Sequence, residues 1–142
     1  MKSRKKVLII AYACEPNKSS EPGVGWNFVK EISSFIEVTV LTRANNRNAI
    51  ELEENNDINF MYYDLPAFLQ KIKKKVPFGL QLYYNFWQIF AYKKVKEIVK
   101  NENFDLLHHL TFAVTKNIPP IQYFNIPFIL GPAGGGDTIP YS

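Results

Sequence analysis

Apolar runs typical of buried strands alternate along the chain with segments that have helical spacing. The run KVLIIAYA (6–13) is almost continuously apolar, as expected of a strand that is covered on both faces. Helical spacing follows in WNFVKEISSF (26–35) and again over residues 80–101. Four more runs read as strands: EVTVLTR (37–43), INFMYYDL (58–65), FDLLHHL (104–110) and PFILGP (127–132).

Two connections are predicted to hold some helix. The polar, Asn-rich segment 44–57 is predicted to contain a short helix, and segment 111–120 to be partly helical. Strands that alternate with helices favour an open parallel α/β sheet, because parallel neighbours need crossover connections. The sequence therefore predicts a Rossmann-like sheet of order 3-2-1-4-5 with helices on both faces, in one domain over residues 1–142.

The long predicted helix carries one apolar stripe. It consists of Leu80, Tyr84, Trp87, Ala91, Val95 and Ile98. Two interpretations of this aromatic region are open. The stripe packs on the sheet, or the segment 78–92 contacts an anionic membrane surface through Trp87, with Lys71, Lys73, Lys74 and Lys75 on the head groups.

The connection after the first strand is unusually long. It runs from Ala13 to Trp26, whereas such loops commonly have about two to six residues and longer ones are often functional. In an open α/β sheet, ligands bind beyond the carboxyl ends of the strands where the winding reverses, here between the first and fourth strands. The loop and the histidines of LLHHL are therefore predicted to face each other across one crevice.

Two glycines end this connection. Gly23 and Gly25 have no side chains, so a diphosphate could approach the backbone there, near a helix N-terminus. Alternatively, the glycines only form the turn that precedes the helix. Glu15 and Glu21 in the same loop would repel a phosphate and suit sugar hydroxyls better, as hydrogen-bond acceptors.

Familiar nucleotide motifs do not fit this loop. A P-loop requires Lys followed by Ser or Thr after the last glycine, but Trp26 follows Gly25. The dinucleotide fingerprint requires a third glycine, and Phe28 stands there. Arg43 lies where the 2′-phosphate of NADP would be met, so an NADP-binding oxidoreductase domain is kept as an alternative.

His108 and His109 are neighbours on a predicted strand and therefore point to opposite faces. Each is interpreted either as a donor to a ligand or as a histidine that bonds to the backbone. No further ligand stands at metal-binding spacing, so no metal site is predicted. Cys14 is the only cysteine; it rules out a disulfide framework and is predicted to be buried.

Charge and composition change the picture little. The net charge of +4 comes from local lysine and arginine clusters, and no nucleic-acid motif accompanies them, so no nucleic-acid partner is predicted. The chain has 46% hydrophobic and 21% charged residues, a composition typical neither of a disordered chain nor of a membrane-embedded protein.

Three motifs resemble a known family. The segments SEPGVGWN (20–27), DLLHHLTF (105–112) and IPFILGPAGGG (126–136), in this order, are similar to the N-terminal domain of family-4 glycosyltransferases with the GT-B fold. The resemblance implies a retaining enzyme that moves a sugar from a nucleotide-sugar donor to an acceptor hydroxyl, with no cofactor and no obligatory metal.

The resemblance also implies roles for residues. His108, and after it His109, would contact the transferred sugar, although members with a His-x-His variant have their important histidine where Leu110 stands. Donor phosphate or substrate contacts would come from Glu21, Gly23, Gly25, Gly134 and Gly135.

The resemblance implies partners beyond this segment. The acceptor would be a saccharide or lipid-linked glycan, and the enzyme would be cytoplasmic, at the inner face of the membrane. The chain ends before the family's donor-binding domain, so the segment alone is expected to be inactive. A non-catalytic membrane or partner-binding module is a further alternative.

Overall fold

Five parallel strands form one open sheet in the order β3-β2-β1-β4-β5 in the computed structural model. The structure describes residues 3–53, 57–71, 75, 79–111 and 119–132. The strands are β1 (Lys6–Ile10), β2 (Glu37–Arg43), β3 (Ile58–Tyr63), β4 (Leu106–His109) and β5 (Phe128–Leu130). The α-helices are α1 (Ser20–Ile32), α2 (Arg47–Glu51), α3 (Ala67–Gln70) and α4 (Gly79–Asn101). Single 3-10 turns cover Ala44–Asn46 and Pro120–Tyr123.

The predicted Rossmann-like sheet order is confirmed. β1 lies at the centre, paired in parallel with β2 on one side and β4 on the other, and its register places Ile9 beside His108 and Ile10 beside His109. The winding reverses between β1 and β4, which is where the carboxyl ends of an open sheet leave a ligand crevice. The short helix predicted within 44–57 is also present, as α2. Most of the connection predicted as partly helical, residues 112–118, lies outside the described residues.

Alternate residues of β1 enter two separate cores. Leu8 and Ile10 pack against α4 on one face, while Val7 and Ile9 pack in a second cluster with α1 on the other. Side chains of a strand point alternately to its two faces, so an entirely apolar strand can bury both sides. The continuous run in the sequence is thereby explained, with helices on both faces of the sheet.

The apolar stripe of α4 packs on the sheet. Its described members Tyr84, Trp87, Ala91, Val95 and Ile98 are all buried. The membrane interpretation assigned a contact to Trp87, but this side chain is 0% exposed in the fold and its indole N–H donates to the carbonyl oxygen of Tyr63 at 3.0 Å. Burial of an aromatic side chain of this size removes some 150–250 Å² from water, so Trp87 contributes to the packing of α4 on the sheet.

The structure describes two of the four lysines that this membrane interpretation placed on the head groups. Lys71 and Lys75 are exposed, and Lys73 and Lys74 lie outside the described residues. Among the helices of the described segments, none is both long and apolar enough to cross a bilayer.

Helix α1 begins at Ser20, six positions before the predicted start at Trp26. The local sequence did not predict this start, because Pro22, Gly23 and Gly25 are poor residues for a helix interior. Proline is accepted in the first turn of a helix, where its missing N–H has no partner to lose. The connection after β1 is therefore residues 11–19, and the glycines lie inside the helix rather than in the loop.

Candidate functional site

The carboxyl ends of β1 and β4 are joined by direct contacts between segments that are distant in sequence. The amide of Ala13, just after β1, donates to Oγ1 of Thr111, just after β4, at 3.0 Å. The His108 ring meets Phe28 of α1 edge to face, with 5.1 Å between ring centroids. Its Nε2 lies 2.7 Å from the carbonyl oxygen of Gly131, which follows β5. These contacts bring β1, α1, β4 and β5 together at the predicted crevice.

His108 is oriented by its bond to Gly131. A carbonyl oxygen only accepts, so Nε2 carries the hydrogen and Nδ1 is the acceptor of the neutral ring. Burial lowers the pKa of His108 below its usual value, and the Gly131 carbonyl opposes this shift only partly. The ring is therefore neutral at pH 7. It can accept a hydrogen bond through Nδ1, but it does not act as a cation at that pH.

His109 points to the other face of the sheet, into the core under α4. Its Nδ1 lies 2.8 Å from the hydroxyl of Tyr92 and its Nε2 lies 3.3 Å from that of Tyr84. Burial, followed by the neighbouring His108, lowers the pKa of His109 to about 4. Both ring nitrogens are thus engaged by tyrosine hydroxyls within a core.

Gly23 and Gly25 are buried against the loop that precedes their own helix. A Cβ atom on Gly23 would stand 2.0 Å from the carbonyl oxygen of Lys18, and one on Gly25 would stand 2.3 Å from that of Ala13. No side chain fits at such distances. The glycines are needed because the backbone of the chain itself approaches the helix, which accounts for them without a phosphate.

The start of α1 lies at the same edge of the sheet. Ser19 is its N-cap, and this serine makes no side-chain hydrogen bond to the first amides of the helix among the described residues. Ser20 has φ near 60°, in the left-handed region that non-glycine residues seldom adopt. Free amides at a helix N-terminus attract anions. The start predicted from the sequence, Trp26, lies six residues too late.

Glu21 lies in the first turn of α1 and is exposed. Burial raises the pKa of Tyr84, and the negative charge of Glu21 raises it further. Glu15 is tied to the same helix, because its amide donates to the carbonyl oxygen of Pro22 at 3.0 Å. The Glu15 carboxylate lies 3.9 Å from Nζ of Lys18, just before the helix start. Gly134 and Gly135 lie outside the described residues.

Cys14 is fully buried, as predicted, and burial raises the pKa of its thiol to about 12. It is therefore a thiol rather than a reactive thiolate at pH 7. Within the described ranges, His, Cys, Asp and Glu side chains form no group of three or more that could hold a metal ion.

Arg43, at the end of β2, is held by Tyr12. Its Nε donates to the Tyr12 carbonyl oxygen at 3.1 Å, and Nη1 donates to the Tyr12 hydroxyl at 3.2 Å. The guanidinium also stacks on the Tyr12 ring, 4.0 Å from its centroid. The connection 11–19 between β1 and α1 contains no glycine, so the pyrophosphate turn that an NADP site would need beside Arg43 is missing from it.

Sequence reasoning missed several residues that build this region: Tyr12, Phe28, Tyr92 and Thr111. The spacing of Tyr84, Gln88 and Tyr92 by four residues is a signal that could have revealed a polar row on the inner face of α4. No comparable signal marks Thr111, because its partner Ala13 is almost one hundred residues away.

The sheet is that of a Rossmann-like α/β fold, a class that binds ligands beyond the carboxyl ends of the strands where the winding reverses, here between β1 and β4. No family model, no curated protein and no solved structure matches the chain.

Proposed function

We propose that this chain is the acceptor-side domain of a retaining glycosyltransferase of the GT-B type. Such an enzyme would transfer a sugar from a nucleotide-sugar donor to an acceptor hydroxyl on a saccharide or lipid-linked glycan. The proposal rests first on the three sequence motifs of segments 20–27, 105–112 and 126–136. The Rossmann-like sheet order is compatible with it.

One observation supports the proposal most. Described residues of the second and third motifs meet directly, because Nε2 of His108 lies 2.7 Å from the carbonyl oxygen of Gly131. The first motif joins them through α1, whose Phe28 contacts the His108 ring and whose Gly25 packs next to Thr111. Segments that are far apart in sequence thus meet at the edge of the sheet where folds of this class bind their ligands, which supports the proposal.

The proposal assigns distinct roles to the two histidines. His108 would accept a hydrogen bond from a sugar hydroxyl through Nδ1, since Nε2 already donates to Gly131. His109 would hold the crevice wall in place, because both of its nitrogens contact tyrosine hydroxyls. Of the two candidates from the sequence, His108 is therefore the one that we assign to substrate.

The start of α1 would interact with the departing diphosphate. Glycosyl transfer builds negative charge on the leaving phosphate, and helix amides stabilise such charge without reorganising. Glu21, in the same turn, would accept hydrogen bonds from hydroxyl groups of the sugar or acceptor. The nucleotide itself would be held mainly by a second domain of the GT-B fold, so this domain alone would bind donor weakly.

Titration of the isotope-labelled chain with UDP-glucose and GDP-mannose, followed by amide NMR, tests the proposal. We expect weak binding, with Kd on the order of 1 mM, and shifts centred on Ser19–Gly23 and His108–Thr111. His108→Phe, which removes the Nδ1 acceptor, should weaken binding, whereas Glu31→Gln, at the exposed far end of α1, should leave it unchanged.

NADP⁺ provides the competing arm of this experiment. Shifts that include both Arg43 and the start of α1 with NADP⁺, and none with either nucleotide sugar, would support the oxidoreductase alternative. Nucleotide-sugar shifts away from α1 and β4 would contradict the transferase proposal.

A further inference from the structure

A polar cavity lies at the carboxyl ends of β2 and β3, on the opposite side of β1 from β4 and His108. Its volume is about 340 Å³, and it is lined by Arg43, Asn45, Asp64, Ala67, Gln70, Lys71 and Tyr83. This volume falls at the lower end of the range for small-molecule pockets, roughly 300–1,000 Å³. Nothing in the proposed transferase function requires this cavity.

The guanidinium of Arg43 is fixed in place at the cavity wall. Tyr12 engages Nε and Nη1 by hydrogen bonds and the face of the group by stacking. Nη2 has no hydrogen-bond partner among the described residues, so its two donors remain for a ligand. A planar guanidinium held in this way loses little conformational freedom when it binds an oxyanion.

The carboxylate of Asp64 is fixed as well, through one oxygen. Oδ1 accepts hydrogen bonds from the hydroxyl of Tyr83 and from the amide of Leu65. Oδ2 accepts none from the part of the chain that the structure describes. Gln70, which also lines the cavity, is anchored by its Nε2, which donates to the carbonyl oxygen of Leu65 at 2.7 Å.

Arg43 and Asp64 line the same cavity, yet no ion pair joins them within the described segments. Both charges therefore line the cavity without neutralising each other through a direct ion pair. Lys71 adds a second cation, so the three charged groups carry a net charge of +1. A ligand with an anionic group and neighbouring hydroxyls matches this arrangement.

We propose that this cavity binds a small phosphorylated monosaccharide, with its phosphate on Arg43 and Lys71 and a sugar hydroxyl donating to Oδ2 of Asp64. The amides of Asn45 and Gln70 provide further donors and acceptors for hydroxyl groups. The carboxylate of Asp64 distinguishes this cavity from a site for a plain anion. It repels phosphate alone, whereas it favours a ligand that also brings hydroxyl donors.

Three probes test the proposal by amide NMR on the whole chain: glucose 6-phosphate, inorganic phosphate and glucose. We expect glucose 6-phosphate to bind at least about tenfold more tightly than inorganic phosphate, with shifts at Arg43, Asp64 and Tyr83, and glucose to bind more weakly than either. Lys71→Gln should weaken the binding of both phosphates. Lys100→Gln, an equal change of charge on an exposed lysine outside the cavity, should not.

Asp64→Asn separates the hydroxyl contact from the phosphate contact. The amide oxygen still accepts from Tyr83 and Leu65, so the local fold has a partner for both donors. We expect the preference for glucose 6-phosphate over inorganic phosphate to fall to about threefold or less, because the negative charge no longer disfavours the plain anion. Equal binding of both phosphates by the unchanged protein would overturn the proposal, as would equal effects of Lys71→Gln and Lys100→Gln.

Discussion

Nε2 of His108 donates a hydrogen bond to the carbonyl oxygen of Gly131 at 2.7 Å, and this contact connects β4 to the end of β5. The bond fixes the tautomer of a buried neutral imidazole and leaves Nδ1 as the acceptor. His109, one residue later, faces the opposite core and meets two tyrosine hydroxyls. Adjacent histidines of one strand therefore have different environments and, in our proposal, different roles.

Replacing His108 by Phe tests the structural value of this bond. Phenylalanine keeps an aromatic ring beside Phe28 but leaves the Gly131 carbonyl without its donor. We expect the free energy of unfolding to fall by about 1–3 kcal/mol, the usual cost of stranding a buried acceptor. Urea denaturation measures this change. A loss below about 0.5 kcal/mol would show that the bond contributes little.

Acidification should destabilise the protein through its two histidines. The pKa of His109 is about 4 in the folded state, against about 6.5 when it is exposed by unfolding, so the unfolded state binds more protons between these values. The stability contribution is complete above pH 6.5 and is lost as the pH falls towards 4. The slope should not exceed about 1.4 kcal/mol per pH unit for each histidine.

The control for this pH dependence is His109→Phe. The variant should be less stable at pH 7, because the Tyr92 hydroxyl loses its partner. Its stability should nevertheless change less between pH 6.5 and 4 than that of the unchanged protein. Parallel pH profiles of the two proteins, from urea denaturation at each pH, would contradict the burial of a neutral His109.

Gly25→Ala should destabilise the protein even though alanine favours helices. The propensity gain is about 1 kcal/mol, but the new Cβ would stand 2.3 Å from the Ala13 carbonyl oxygen and 3.0 Å from Cγ2 of Thr111. Backbone must then move, and we expect a net loss of about 1–3 kcal/mol. Val24→Ala, on the exposed side of the same helix, should change the midpoint of thermal unfolding far less.

Gln88→Met should stabilise the protein. Oε1 of Gln88 is buried and has no hydrogen-bond partner among the described residues. A buried acceptor without a partner costs about 1–3 kcal/mol, and methionine has a similar shape without the polar atoms. We expect a gain of about 1 kcal/mol in urea denaturation. Ile89→Met, a neighbouring and half-exposed position, should be neutral within about 0.5 kcal/mol.

Trp87→Phe separates core packing from membrane contact. The change removes the hydrogen bond to the Tyr63 carbonyl and leaves space in the core, so stability should fall by about 2–4 kcal/mol. Co-sedimentation with anionic vesicles, measured at a temperature where the variant is folded, should be unchanged. A specific loss of vesicle binding by this variant would revive a membrane role for the aromatic region.

Part of the candidate site was accessible from the sequence. The strand signals and the reversal of winding predicted that the loop after β1 and the histidines of β4 meet at one edge, and the contact between Ala13 and Thr111 confirms that proximity. The start of α1 was predicted wrongly. Pro22, Gly23 and Gly25 read as a loop, although the structure continues α1 through all three.

The sequence alone determined the sheet order and the inner face of α4. Both depend on periodicity, and periodicity follows from the geometry of strands and helices within a few residues. The burial of Cys14 at the end of an apolar run was accessible for the same reason.

Only the tertiary structure decided why positions 23 and 25 require glycine and what each histidine contacts. The carbonyl oxygens that exclude a side chain at Gly23 and Gly25 belong to a loop whose path is set by packing. The partners of His108 and His109 come from β5 and α4, well removed along the chain. Local patterns specify which face a residue occupies, whereas the atoms that it meets there depend on how separate segments pack.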